Sequence, residues 1–225
     1  MINLLFFVWG CCWGSFFYCS HWRLKHNISF SRKRSFCENC GHILVWYELI
    51  PLVSFCLQKA SCRHCQKKIS PTSTFCELIF GLLFWYLSWI YQLPKLEFIM
   101  LLICWSSWLA LEDWHTMKVD AVILFLGNLF FLWASSYLKT FDQNSLLLAL
   151  ILMIMLSLFC VKKWLGSADI IFLATCYYLM GLEKILLLLL ISSILGILWC
   201  LVCQQKKIPF LPALVVSLVT IFIIP

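Results

Sequence analysis

The chain has 225 residues, 63% of them hydrophobic and only 12% charged, with a net charge of +7 and a mean hydropathy of +0.94. This makeup excludes an ordinary soluble domain and reads as an integral membrane protein. The basic excess requires no nucleic-acid partner, because basic membrane proteins carry it on cytoplasmic loops.

In chain order, apolar runs bounded by charge or proline predict an all-α polytopic fold with about eight membrane helices, near 2–20, 74–93, 98–111, 121–138, 145–160, 169–181, 185–203 and 208–225. The first run has no positive segment before it and no small-residue cleavage site after it, so it is read as a retained helix. The third, fifth and sixth runs are short for a hydrocarbon core of about 30 Å and must borrow flanking residues or sit against protein or water. With the N-terminus outside, 14 of the 17 basic residues fall on inner loops, and only Lys95, Lys139 and Lys184 lie outside. That asymmetry predicts the topology.

The first inner loop, about 21–73, holds two CxxC pairs, Cys37/Cys40 and Cys62/Cys65. A two-residue spacer lets one tight turn aim both sulfurs at a metal, and four thiolates complete a tetrahedral zinc shell with no open position for hydrolysis. A reducing cytoplasm favours metal over disulfide. The other ten cysteines lie in or beside apolar runs and are expected to be mostly small buried hydrophobes. Between the pairs, residues 46–58 are apolar but interrupted by Pro51, and are expected at the membrane interface with Trp46 and Tyr47 as anchors. Glu48 there is expected to be solvated or paired with a nearby base.

Four aspartates remain: Asp113, Asp120, Asp142 and Asp169. Asp142 is an outer-loop residue in this topology. Asp113 follows the third apolar run and Asp169 opens the sixth, both at the cytoplasmic mouth of a helix. Two such carboxylates at one depth suit aspartic proteolysis, in which one activates water and the other protonates the carbonyl or leaving group. The structural alternative is that both solvate helix ends or complement a helix dipole. Asp120 is a weaker substitute for Asp113, and His115 is a competing titratable group. A lone histidine lacks the HExxH spacing, no GxSxG element is present, and Ser106, Ser107, Ser135, Ser136, Ser192 and Ser193 read as packing or backbone-bonding groups.

Taken together, GSFFYCSHWR (14–23), the two CxxC pairs, the helix entry at Glu77 and Gly81, LEDWHTMKVD around Asp113, and GSAD ending at Asp169 resemble the bacterial type IV prepilin peptidase family, in its compact competence-associated form. The resemblance implies a GxGD-type aspartyl protease fold with a cytoplasmic zinc-knuckle loop after helix 1. It places an N-terminal region at 1–93, a membrane-embedded peptidase domain at 94–225, catalytic roles on Asp113 and Asp169, and structural zinc on Cys37, Cys40, Cys62 and Cys65. It further implies cleavage of prepilin or pseudopilin leaders at the cytoplasmic face of a bacterial plasma membrane, with N-methylation from S-adenosylmethionine in bifunctional members. Three positions depart from the family's pattern: Val119 precedes Asp120 where proline is common, Ala168 replaces the GxGD glycine, and Ile171 stands where a lysine is frequent. Competing readings are a multipass transporter component, which would distribute acids through membrane depth, and a non-catalytic pilus or secretion assembly protein, which would require the cysteines but not the aspartates.

Overall fold

The computed structural model describes residues 2–29, 34–138, 154, 157, 166–204 and 208–224. Asp142 and most of the run 145–160 lie outside the described residues, as do Arg32, Lys33, Lys139, Lys162, Lys163, Lys206 and Lys207. The described fold is all-helical, with two isolated antiparallel bridges, Phe36 to Ile43 and Ser61 to Lys68, and no longer β-pairing. Three of the described helices are long and apolar enough to cross a membrane: Ile2–Lys25, Thr72–Ile90 and Ser167–Cys203. The chain divides into two compact units, Met1–Leu96 and Glu97–Pro225.

In the first unit, α1 (Ile2–Lys25) packs along α3 (Thr72–Ile90). Gly10 and Gly14, four apart, put a small-residue stripe on α1. A Cβ on Gly10 would strike the Phe80 backbone carbonyl, and one on Gly14 would come within 2.6 Å of the Cys76 carbonyl oxygen and 2.8 Å of the Glu77 Cα. From the other side, a Cβ on Gly81 would meet the Cys11 sulfur at 2.5 Å. In lipid there is no hydrophobic drive between helices, so this close backbone approach supplies the van der Waals contact that joins them. The helix α1 extends past the predicted 2–20 because its last turn carries Arg23 and Lys25, cations that suit the negative end of the dipole.

The segment between the cysteine pairs forms a 3-10 turn, Trp46–Leu49, and a short helix α2, Val53–Leu57. Trp46, Tyr47, Leu49, Val53 and Leu57 are exposed there. Glu48 is not simply solvated, since its Oε2 accepts the Val45 N–H at 3.1 Å and closes the turn.

The second unit is organised around α4 (Lys95–Thr116). Ile99, Met100, Leu102, Ile103, Leu109 and Leu111 are all nearly inaccessible, so this helix is buried around most of its circumference. It is longer than the apolar run 98–111 because Glu112, Asp113 and His115 continue the helix beyond the apolar stretch. Its side chains reach α5 (Ala121–Leu138), α6 (Ser167–Cys203) and α7 (Leu211–Ile223). Trp105 joins three helices: its ring lies 5.2 Å from that of Phe131 and 5.8 Å from that of Phe172, and its indole N–H donates to the Ile123 carbonyl. Gly127 leaves room for that indole.

The sixth and seventh apolar runs are one helical stretch interrupted at Gly181, whose φ of 80° and ψ of 178° occupy a region essentially restricted to glycine. Ser106, Ser107, Ser135, Ser192 and Ser193 each donate to the carbonyl three residues back, satisfying their hydroxyls within the helix. Of the cysteines in apolar runs, Cys11, Cys104 and Cys176 are buried, whereas Cys12, Cys56 and Cys200 are exposed. The expectation that most are buried therefore holds only for some of them.

Candidate active site and metal centre

The four paired cysteines converge. The sulfurs of Cys37, Cys40, Cys62 and Cys65 all lie within 4.8 Å of one another, and those of Cys37 and Cys65 are 3.9 Å apart. A zinc–sulfur bond of about 2.3 Å in a tetrahedron separates sulfurs by about 3.8 Å, so the cluster has the size of a metal shell. Each pair is built by the same local device. The Cys37 N–H donates to the His42 carbonyl and the Gly41 N–H to the Cys37 carbonyl; the Cys62 N–H donates to the Lys67 carbonyl and the Gln66 N–H to the Cys62 carbonyl. In both turns the residue after the second cysteine has positive φ, 70° at Gly41 and 60° at Gln66.

Rings of His42 and His64 face each other at 4.2 Å between the two turns. Backbone hydrogen bonds from Cys65 and His64 lower the Cys62 thiol to about 7, so it ionises near neutrality and is ready to ligate. The cluster can hold a metal ion, and these residues supply all four ligands.

The acidic residues occupy the second unit. Asp113 sits half-buried in the last turn of α4, and its Oδ2 accepts the Leu211 N–H at the start of α7, at 3.3 Å. Asp169 is buried in the first turn of α6, where its Oδ2 accepts the Gly166 N–H at 3.0 Å. Each carboxylate is thus oriented by one N–H from a helix N-terminus, where the dipole favours negative charge. The charge of Asp113 acts on Asp169, so the two are electrostatic neighbours. Nothing among the described residues hydrogen-bonds the Oδ1 of either.

Asp120 has a different job. Its Oδ1 accepts the Val122 N–H at 2.8 Å and caps α5. Its own N–H donates to Glu112 Oε2 at 3.0 Å, while Glu112 Oε1 accepts the Trp108 indole at 2.7 Å. Glu112 is a residue that sequence reasoning passed over: it ties the end of α4 to the start of α5 next to Asp113. Only its position beside Asp113 could have signalled this, since no motif marks it. His115 lies in the same last turn of α4. Ile171, where the family often has lysine, is exposed.

The comparisons with known proteins point to a class of membrane peptidases. Residues 8–91 match the bacterial peptidase A24 N-terminal domain, and residues 100–201 match the type IV leader peptidase family. Three relatives, each called prepilin leader peptidase/N-methyltransferase, come from Myxococcus xanthus, Bacillus subtilis and Vibrio cholerae. The first is 38% identical over 119 residues, 51% of this chain but only 35% of that relative's length. The second is 28% identical across 95% of this chain and 90% of the relative, and the third 26% identical across 84% and 80%. No solved structure matches. The chain belongs to the type IV leader peptidase family, and by that membership it is an enzyme of the peptidase class.

Proposed function

We propose that the chain cleaves the leader from type IV prepilins or competence pseudopilins at the cytoplasmic face of the bacterial plasma membrane, with Asp113 and Asp169 as its acid–base pair. The observation that supports this reading is that the two carboxylates are electrostatic neighbours, each oriented by a helix N–H through one oxygen. In this reading the two carboxylates share a proton. The ionised member takes a proton from water as the water oxygen attacks the scissile carbonyl carbon. The protonated member gives its proton to the carbonyl oxygen, and proton transfer to the amine then releases the new amino terminus.

The substrate's apolar segment packs laterally against the helices, which holds its scissile bond beside the pair. Zinc in the four-cysteine cluster is structural, because four thiolates leave no open position. The region 1–93 carries this clip and 94–225 the peptidase site, with the N-terminus outside, as the basic-residue asymmetry supports. The mature amino terminus is then methylated from S-adenosylmethionine, a reading supported by the names of the relatives.

Co-expression with a prepilin-like substrate tests the assignment. Processing in D113N and in D169N is expected to fall by roughly 10²- to 10⁴-fold. D120N should process normally, since asparagine caps a helix as well as aspartate does. Full processing in D113N or D169N overturns the catalytic assignment, and the mass of the mature amino terminus decides methylation.

A further inference from the structure

Asp113 lies in the last turn of α4, beside an end that is exposed at Trp114 and Met117. The last turn of a helix lacks partners for its final carbonyls and frays unless other groups hold it. Among the described residues the Asp113 side chain is held by one bond, from the Leu211 N–H, whose 3.3 Å exceeds the usual range of about 2.7–3.2 Å. The place of this carboxyl therefore depends on how firmly its own turn is braced. The Met117 N–H donates to the Asp113 carbonyl at 2.9 Å, with Met117 at φ 53°, a left-handed conformation that disfavours a side chain. The Thr116 hydroxyl, with one proton to give, lies 2.9 Å from the Glu112 carbonyl and 2.6 Å from the Lys118 carbonyl. Glu112 reaches further than either. Its Oε1 goes back one turn to the Trp108 indole N–H, and its Oε2 goes forward eight residues to the Asp120 N–H at the start of α5.

Local preference does not account for a carboxylate at position 112. The negative end of the α4 dipole opposes it, and a second acid, Asp113, is its neighbour in the chain. Two N–H donors on one carboxylate offset this, because bonds to an ionised acceptor are the shorter and stronger kind. We propose that Glu112 is a positioning residue for the peptidase reaction. By holding Trp108 and Asp120 at once, it fixes the last turn of α4 and so keeps the Asp113 carboxyl in place beside Asp169. It touches no reacting atom and acts through Asp113, so the proposal rests on the assignment of Asp113 and Asp169 as the acid–base pair. The brace makes a specific chemical demand. A carboxylate offers two acceptor oxygens, and both are used. A glutamine offers one, and its NH2 would then face either the indole N–H or the Asp120 N–H, donor against donor.

The test measures kcat and KM of the full, metal-loaded chain in detergent with a prepilin-like substrate, well below the melting temperature of every variant. Glu112→Gln is expected to lower kcat roughly tenfold with KM within about twofold, since a misplacement of about 1 Å costs roughly 10²-fold. Trp108→Phe keeps a ring but removes the donor, which leaves one oxygen without its partner and should lower kcat roughly threefold. In the double variant the glutamine oxygen turns to Asp120 and its NH2 no longer opposes an indole. Adding Glu112→Gln to Trp108→Phe should therefore cost less than about twofold. A glutamate that only stabilised the fold would shift Tm and leave the kcat of the folded enzyme unchanged, with the two substitutions independent. D113N and D169N are measured alongside. If both lose processing while Glu112→Gln keeps the wild-type kcat, loses only in KM, or costs as much with Phe at 108 as with Trp, the positioning role is overturned and the acid–base assignment stands. Full processing by D113N overturns both, because Glu112 then has no reacting group to place. Should Glu112→Gln yield no folded protein, Trp108→Phe decides alone: a lowered kcat at unchanged KM supports the brace, and an unchanged kcat overturns it.

Discussion

In the four-cysteine clip, each turn is written in a handful of consecutive residues, 37–42 and 62–67, and repeats the same two backbone hydrogen bonds. The acidic pair has no such local design. Asp113 ends α4, Asp169 begins α6, and the N–H that orients Asp113 comes from Leu211 on α7. A metal clip needs sulfurs at a fixed short spacing, which a turn guarantees. An acid–base pair needs two carboxylates at one point in space, which only helix packing provides. The two regions therefore should fail in different ways when perturbed.

The largest expected effect is the loss of processing in D113N and D169N set out above, which tests the pair without touching a single turn. Next is removal of the metal. Chelation, or Cys62→Ser, should release one metal per chain and open the loop to protease, as limited proteolysis and metal analysis would show. The acid side of this prediction has a definite sign. A thiol lowered to about 7 is held as thiolate above that pH in the folded clip. Metal affinity should therefore fall as pH drops, because protons compete with the metal for the thiolates. Metal binding undiminished at acid pH would break the thiolate account.

A smaller effect is expected at the helix entry that aims Asp169. A Cβ on Gly166 would lie 3.1 Å from Asp169 Oδ2, closer than ordinary contact, so Gly166→Ala should push the carboxylate by a few tenths of an ångström. A rate loss on the order of tenfold is expected, given that a misplacement of about 1 Å costs roughly 10²-fold. The change should appear in kcat with the protein's melting temperature nearly unchanged; an unaltered kcat would mean that the Gly166 contact does not position the carboxylate.

The smallest effects compare the two turns with each other. Gly41 and Gln66 occupy equivalent positions at positive φ. Gly41→Ala should destabilise the loop by about 1 kcal/mol, although no atom lies within 4 Å of the new Cβ, because the cost is conformational. Gln66→Gly should stabilise it by a similar or smaller amount, about 0.5–1 kcal/mol. Metal-release midpoints in denaturant would read both, and shifts of the same sign would show that the two turns are not equivalent.

How much of this was legible beforehand differs by residue. The CxxC spacing alone named all four metal-ligating candidates, since a two-residue spacer leaves few ways to place two sulfurs. The break at Gly181 fell where the sequence separates two apolar runs, because only glycine tolerates that backbone. Positions 113 and 169 could be nominated from helix-end placement, but their proximity could not, since nothing in a periodic apolar run states which helices will be neighbours. Asp120 looked like a rival carboxylate until its side chain proved to cap α5. Glu112 was invisible as a brace, because a glutamate at a helix end is an ordinary polar residue until the chain turns back to meet it.

The amino-acid sequence by itself thus determined the membrane character, the charge asymmetry and the local turns of the metal clip, all of which depend on composition or on neighbours along the chain. The tertiary structure alone decided that Asp113 and Asp169 feel each other and that one N–H from a distant helix orients Asp113. The physical reason is range: hydrogen-bonded turns close within a few residues, whereas electrostatic pairing and burial depend on helix contacts between segments that the chain keeps far apart.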